Sequence, residues 1–317
     1  MTSIAIMNAK GGVGKSTLTM AIAETLAEHH GKSTLIIDSD GQMSVSLMMA
    51  RGKLLAERAE ANLTLVNFLI QKVLEGKEID WPQFVCRDIS DVDDMGGLFL
   101  IQGDMDLPLL EREIAATNRF AELRTAARAL LAAADQYVDV VLVDCAPGIS
   151  VMTETWLREC DQHLIPVKPD FLAISGLEYL RRFRSRNPEM GFAVQLGVVI
   201  NMMEPTSPED RTMAAHLRED AALNCFEASV PFASIIQRAA LFSTEPRSYL
   251  AKYAGAPGQA LRDITREIVE RISDKPAEPI ITPVPEASGT KEEEAAPQVP
   301  TTPPPPPNAT AAARQEA

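Results

Sequence analysis

Short runs that are apolar at nearly every position alternate along this chain with longer stretches apolar at every third or fourth. The short runs predict strands over Ser3–Asn8, Ser33–Asp38, Leu98–Gln102, Val138–Cys145, His163–Val167, Val194–Asn201 and Glu227–Val230. Several, such as Val140-Val141-Leu142-Val143, are apolar on both faces, as parallel strands covered from both sides must be. The periodic stretches predict helices over Ser16–His30, Leu63–Glu75, Leu107–Ala134, Val151–Glu159, Leu172–Arg186, Pro208–Leu223 and Pro257–Ser273. Repeated β–α alternation predicts an α/β fold, a doubly wound, mostly parallel sheet with helices on both faces. Residues 41–97 are less regular and read as helical decoration on that sheet.

The pattern stops at residue 273. From 274 to 317 Pro, Glu, Ala and Thr dominate, aromatics are absent, and Pro303–Pro307 is an unbroken proline run. Such a segment has too little apolar surface to offset the entropy of ordering. It is expected to be a disordered tail after one folded domain, residues 1–273. It serves either as a solvating tail or as a docking peptide.

Composition narrows the classes of partner. The chain has 317 residues, 46% of them apolar, enough for a sizeable core. Net charge is −14; the tail's seven acidic and three basic residues account for −4, leaving −10 on the body. An acidic body argues against broad electrostatic binding to nucleic acid or anionic lipid, though it permits a local basic patch. The four cysteines (Cys86, Cys145, Cys160, Cys225) show no C-x-x-C spacing, which suits buried free thiols in a reducing compartment. No apolar stretch approaches the roughly 18 residues of a membrane span, and Met1-Thr2-Ser3 leads directly into the first strand. A cytoplasmic protein is expected.

The chemistry concentrates at residues 10–17, Lys-Gly-Gly-Val-Gly-Lys-Ser-Thr, between the first strand and the first helix. Strand, glycine loop and helix together are what a phosphate-binding loop requires. Gly11, Gly12 and Gly14 let backbone N–H groups turn toward phosphate oxygens without Cβ clashes, and Val13 and Thr17 complete the turn into the helix. The helix contributes its positive N-terminal end. Lys15 places an ammonium on the β- and γ-phosphates of ATP, and the Ser16 hydroxyl suits Mg²⁺. Asp144, at the end of the apolar run Val140–Val143, is placed for the metal, directly or through water.

Lys10 distinguishes this loop from the ordinary G-x-x-x-x-G-K-[ST] pattern, whose first glycine position is held here by Asn8. With two lysines in K-G-G-V-G-K-S, the loop resembles that of the ParA/MinD family, the deviant Walker A ATPases. The resemblance covers about 270 residues. It implies an ATP hydrolase, slow unless stimulated, in which two subunits sandwich two ATP molecules with Mg²⁺ and Lys10 reaches the partner's phosphates. Asp144-Cys-Ala-Pro147 is similar to the family's second acidic motif. Asp38-Ser-Asp40-Gly-Gln42 is similar to its D-x-D-P-Q, with glycine for proline at position 41. That likeness implies Asp40 at the hydrolytic water and Asp38 near the Mg²⁺ shell. Val198-Val-Ile-Asn201 and Val230-Pro231-Phe232 resemble segments that meet the adenine, implying contacts from Asn201, Pro231 and Phe232.

Family members differ in what the ATP dimer engages. The run Arg181-Arg182-Phe183-Arg184-Ser185-Arg186 is the densest basic stretch. Arg182, Arg184 and Arg186, with Arg218, are candidate contacts for nonspecific DNA; equally, the run reads as charge complementing a helix C-terminus. A proline-rich acidic end cannot form the amphipathic membrane helix of MinD-type members. The resemblance therefore implies partition or positioning of a cargo, a ParB-like or cargo-adaptor protein that stimulates hydrolysis, and nucleoid association of the ATP state. The alternatives within the superfamily are a protein-cargo scaffold that leaves DNA alone and a reductase-type ATPase carrying an iron–sulfur cluster, with Cys145 as a ligand rather than a buried thiol.

Overall fold

Six of the seven apolar runs form strands in the computed structural model, which describes residues 1–273. The expected tail at 274–317 lies outside the described residues. The strands are β1 (Thr2–Ile6), β2 (Thr34–Ser39), β3 (Leu98–Ile101), β4 (Val140–Cys145), β5 (Gln162–Val167) and β6 (Val194–Ile200). They pair in the order β3-β2-β4-β1-β5-β6, every pairing parallel. The helices are α1 (Lys15–His30), α2 (Ser44–Met49), α3 (Gly52–Glu60), α4 (Leu65–Leu69), α5 (Leu107–Thr117), α6 (Phe120–Ala134), α7 (Val151–Glu159), α8 (Phe171–Arg186), α9 (Pro208–Glu219), α10 (Ser234–Ala239), α11 (Tyr249–Lys252) and α12 (Gly255–Ser273).

Alternation along each strand divides the core into two. Ile4, Ile6, Ile36, Val140, Leu142 and Val199 pack with the apolar faces of α1, α2 and α12. Ala5, Leu35, Ile37, Val141, Val143 and Val198 face the opposite layer, built from α4 to α9. Neither face of the strands is solvated, which is why their sequences are nearly unbroken apolar runs. The chain moves from β1 outward through β2 to β3, then returns to β4 and crosses to β5 and β6. The winding direction therefore reverses around β1, and the crevice beyond its C-terminal end is where such sheets hold ligands.

Three expectations are corrected. Glu227–Val230 is not a strand. Phe226 N donates to Val198 O and Val230 N to Ile200 O, both at 2.9 Å. Five residues, Phe226 to Val230, thus run against three of β6, Val198 to Ile200, and Pro231 has no N–H with which to continue a ladder. The helix expected over Leu107–Ala134 is two, α5 and α6, because Asn118 takes a left-handed turn (φ 54°) and caps α5. The helix expected over Leu63–Glu75 is α4 followed by a π-helical turn at Ile70–Leu74. Helices α10 and α11 were outside the periodic pattern altogether.

One buried polar cluster fastens the C-terminal segment to α1. Lys252, fully buried, lies 2.8 Å from Glu24 and 2.6 Å from Asp91. Tyr253 Oη and Ser90 Oγ each donate to Glu24 at 2.6 Å, and Arg247 approaches Asp91 at 2.8 Å. Burial alone would raise Asp91, but the hydrogen bond and charge of Lys252 outweigh it and hold the carboxyl below its usual range. Among the described residues no helix is long and apolar enough to cross a membrane.

Candidate functional site

The glycine loop leaves β1 at the centre of the sheet. Gly12 and Gly14 have φ of 73° and 82°, left-handed conformations that a side chain would strain. Gly14 is the N-cap of α1 and supplies no capping side chain; the first turn holds no acidic residue. The first N–H groups of α1 are therefore free of local competition for an anion. Lys15 is buried at the start of that helix, and its carbonyl accepts from Thr19 Oγ1 at 2.9 Å.

Two carboxylates lie beneath the loop. Asp38 and Asp144 are direct neighbours in the register of β2 and β4, and both are fully buried. Asp38 accepts from Ser46 N at 3.0 Å, Ser46 Oγ at 2.6 Å and Asp40 N at 3.3 Å. Burial is the main influence on it and pushes its pKa up to about 6 despite those donors. Asp144 goes further, to about 8, through burial and then the charge of Asp38; the nearby Ser16 hydroxyl and the charge of Lys15 oppose the rise. Thr19 Oγ1 reaches Asp144 Oδ1 at 3.3 Å, whereas Asp144 Oδ2 is buried without a partner. Such an orphaned oxygen in a buried acid pair is the donor chemistry a hard divalent cation takes up. Ser16, Asp144 and Asp38 thus fit Mg²⁺.

Asp40 lies just after β2, partly exposed, and accepts from Gln42 N at 2.9 Å. Gly41 is packed close to Pro108: a Cβ there would approach the ring to 3.1 Å. Gly103 N donates to Ser46 Oγ at 3.1 Å, and a Cβ at Gly103 would come within 3.0 Å of the Asp38 carboxyl carbon. Ser46 and Gly103 therefore hold Asp38 from the far side. Gly103 lies in the stretch Leu98–Leu107, which resembles the family's strand and loop ahead of a long helix; Ser46 sits in no motif read from the sequence.

The mouth of the loop is tied to the end of β5. Asn8 Nδ2 donates to Pro166 O at 2.7 Å, and its Oδ1 accepts from Lys10 N at 2.8 Å. Lys10 Nζ is 2.6 Å from Asp170 Oδ2, both side chains about 30% exposed. On the other flank Asn201 Nδ2 donates to Val13 O at 2.8 Å. Asn201 fills the space where a Cβ on Gly14 would be, beside Met202. Pro231 bridges Met203, whose carbonyl accepts from Phe232 N at 2.8 Å. Asn201, Pro231 and Phe232 are thus gathered at one flank of the loop, with Phe232 half exposed. In this state Asn201 braces the loop itself.

The arginines do not form one free row. Arg182 pairs with Glu178 at 2.8 Å, and Arg181 lies 3.8 Å from Asp220, which brings the ends of α8 and α9 together. Arg184 turns inward, donating to Ala193 O at 3.4 Å beside the buried His163. Burial, then the Arg184 charge, depresses His163 to about 3. Arg218 donates to Glu227 O at 3.0 Å and Ser229 Oγ at 2.6 Å. Arg186 is exposed. Cys145 is buried at the end of β4, and burial raises its thiol well above the usual range, as for a buried thiol with low reactivity.

Comparison with known proteins extends this geometry. The AAA domain family (AAA_31) matches residues 1–188. Chromosome partitioning protein ParA of Caulobacter vibrioides (strain NA1000 / CB15N) is 28% identical over 280 residues, covering 86% of this chain and 96% of that protein. The apo McdA structure from Cyanothece superposes with a TM-score of 0.66 at 17% identity, covering 84% of this chain and 99% of that one. The structure of pNOB8 ParA bound to nonspecific DNA gives 0.62 at 19% identity, covering 87% and 99%.

Proposed function

The chain belongs to the AAA domain family, in its ParA/MinD branch of ATPases, and on that premise we propose that it is a Mg²⁺·ATP-operated switch that pairs with a second copy and engages nonspecific DNA. The observation that carries this reading is the unpartnered Oδ2 of Asp144, in a pair of buried acids below an open helix N-terminus. A buried acid pair of this kind costs stability unless something cationic completes it.

Each residue's part follows from its position. The N–H groups of Gly11 to Thr17 hold phosphate oxygens, with Lys15 adding its charge. Ser16 and Asp144 would hold Mg²⁺, Asp38 standing behind them; the ion would supply positive charge against the negative charge that develops in the reaction. Asp40, partly exposed above the acid pair, orients the attacking water. Asn201, Pro231 and Phe232 form the adenine wall. Lys10 reaches across to the phosphates bound by the partner subunit. Contacts to the γ-phosphate from both subunits favour the pair and disappear on cleavage, so hydrolysis resets the switch. A partner protein accelerates that slow step, and the ATP state gathers on the nucleoid.

The DNA surface is the joined ends of α8 and α9, where Arg182, Arg186 and Arg218 lie. The pNOB8 ParA complex with nonspecific DNA supports this reading. The experiment is DNA retention with ATP, ADP and no nucleotide, repeated with Arg182→Glu/Arg186→Glu. Retention is expected only with ATP and only with the arginines intact; absent or ATP-independent retention overturns the DNA arm. Existing partners of Arg182, Arg184 and Arg218 favour a second reading, a positioning ATPase that carries protein cargo without touching DNA. That reading gains if an ATP-dependent dimer forms and retains no DNA.

A further inference from the structure

Lys10 is already engaged within its own subunit. Its ammonium lies 2.6 Å from Asp170, which sits between β5 and the first residue of α8. The contact is built in from several directions. Asn8 accepts from Lys10 N and donates to Pro166 O, so loop mouth and β5 end move as one piece. Asp170 N donates to Lys168 O at 2.8 Å, tightening the turn that presents the carboxylate. Gly176 brings α8 close: a Cβ there would lie 3.2 Å from Asn8 Oδ1 and 3.9 Å from Lys10 Cβ. Beside this pair Phe171 and Leu172 are 77% and 58% exposed, two large apolar side chains at the start of α8.

We propose that Asp170 is a latch on Lys10, holding the ammonium at home in the nucleotide-free subunit, and that closing on a second copy exchanges this internal ion pair for the partner's phosphate. This rests on the switch reading above and specifies how its open state is kept. A half-exposed ion pair is modest in strength, so the latch biases the equilibrium without blocking it. A triphosphate in trans offers more negative charge than one carboxylate and wins the ammonium; a diphosphate offers less, and Lys10 returns to Asp170. The exposed Phe171 and Leu172 are then covered in the closed pair and wetted in the open one. Asp170 acts through Lys10 and is a positioning residue.

The test uses the full chain and two readouts. The first is the rate at which acetic anhydride acetylates Lys10 in the nucleotide-free protein, followed by mass spectrometry. The second is the apparent dimer Kd by sedimentation velocity with Mg²⁺ and a non-hydrolysable ATP analogue. Asp170→Asn is expected to speed acetylation severalfold and tighten the dimer by about two- to fivefold, within the range a partly exposed ion pair spans. Asp170→Glu, which keeps the charge, should restore wild-type values. In a Lys10→Met background Asp170→Asn should change nothing, whereas a merely structural role for Asp170 would still move the dimer constant. Unchanged acetylation, or a dimer no tighter than wild type, overturns the latch. Faster acetylation with every variant monomeric at saturating nucleotide overturns the sandwich reading, and the latch loses its role with it.

Discussion

Two sets of buried charge lie against α1, and they are built on opposite principles. At its C-terminal half Glu24 and Asp91 are matched by Lys252 and Arg247, with hydroxyls from Ser90 and Tyr253 filling the remaining positions. At its N-terminal end Asp38 and Asp144 face one another with raised pKa values and an oxygen left over. In the first set both carboxylates are paired within the chain, although Arg247 Nε is left buried without a partner, and the set holds α11 to α1. The second leaves Asp144 Oδ2 without a partner, the position that the proposed Mg²⁺ would fill. A buried acid whose partners are all in the chain supports structure, and one left unsatisfied marks a ligand site.

The largest effect should come from breaking the paired set. Lys252→Met strands two buried carboxylates and is expected to cost about 3–5 kcal/mol of folding stability, read by urea unfolding. Nucleotide affinity of the folded fraction should be unchanged. Lys15→Ala should sharpen the contrast from the other side, abolishing ATP binding in calorimetry with little loss of stability. Asp40→Ala should still bind ATP and pair, while steady-state hydrolysis falls by about a hundredfold, as loss of a positioned base does.

The pH dependence separates the two sets further. Asp144 binds a proton in the folded state up to about pH 8 but releases it near pH 4 when unfolded, so its contribution to stability is present at low pH and lost as pH rises through 8. His163 has the opposite sign. Its folded pKa of about 3 lies below the unfolded value of 6.5, so stability falls as pH drops below 6.5. Between pH 6.5 and 8 only the acid pair of these acts. There the nucleotide-free protein should lose about 1–2 kcal/mol, read by chemical denaturation, and Asp144→Asn should flatten the slope. The smallest effect is at the arginines: Arg186→Glu alone should lower DNA retention only a few-fold, roughly one phosphate contact.

Much of the site was legible because its parts lie close in sequence or at strand ends. The loop glycines announce the φ values they adopt, and Asp38 and Asp144 each close an apolar run, so parallel register brings them together. The membership of the fold followed from the alternating periods. What stayed hidden depends on long-range contact. Ser46 and Gly103 meet Asp38 only after α2 folds back, and Asp170 meets Lys10 across 160 residues. Pro231 ended a seventh strand that apolar pattern alone suggested, and Asn118 broke a helix whose periodicity ran through it. Arg184 reads as surface charge in sequence and lies half-buried beside His163 in the structure.

The difference between the two charge sets is tested most directly by the Mg²⁺-dependent part of the rise in melting temperature produced by ATP. Wild type and Lys252→Met should both gain stability when Mg²⁺ is added with ATP, and Asp144→Asn should gain none. An equal Mg²⁺-dependent rise in Asp144→Asn would contradict the assignment of the unpaired acid to the nucleotide's metal.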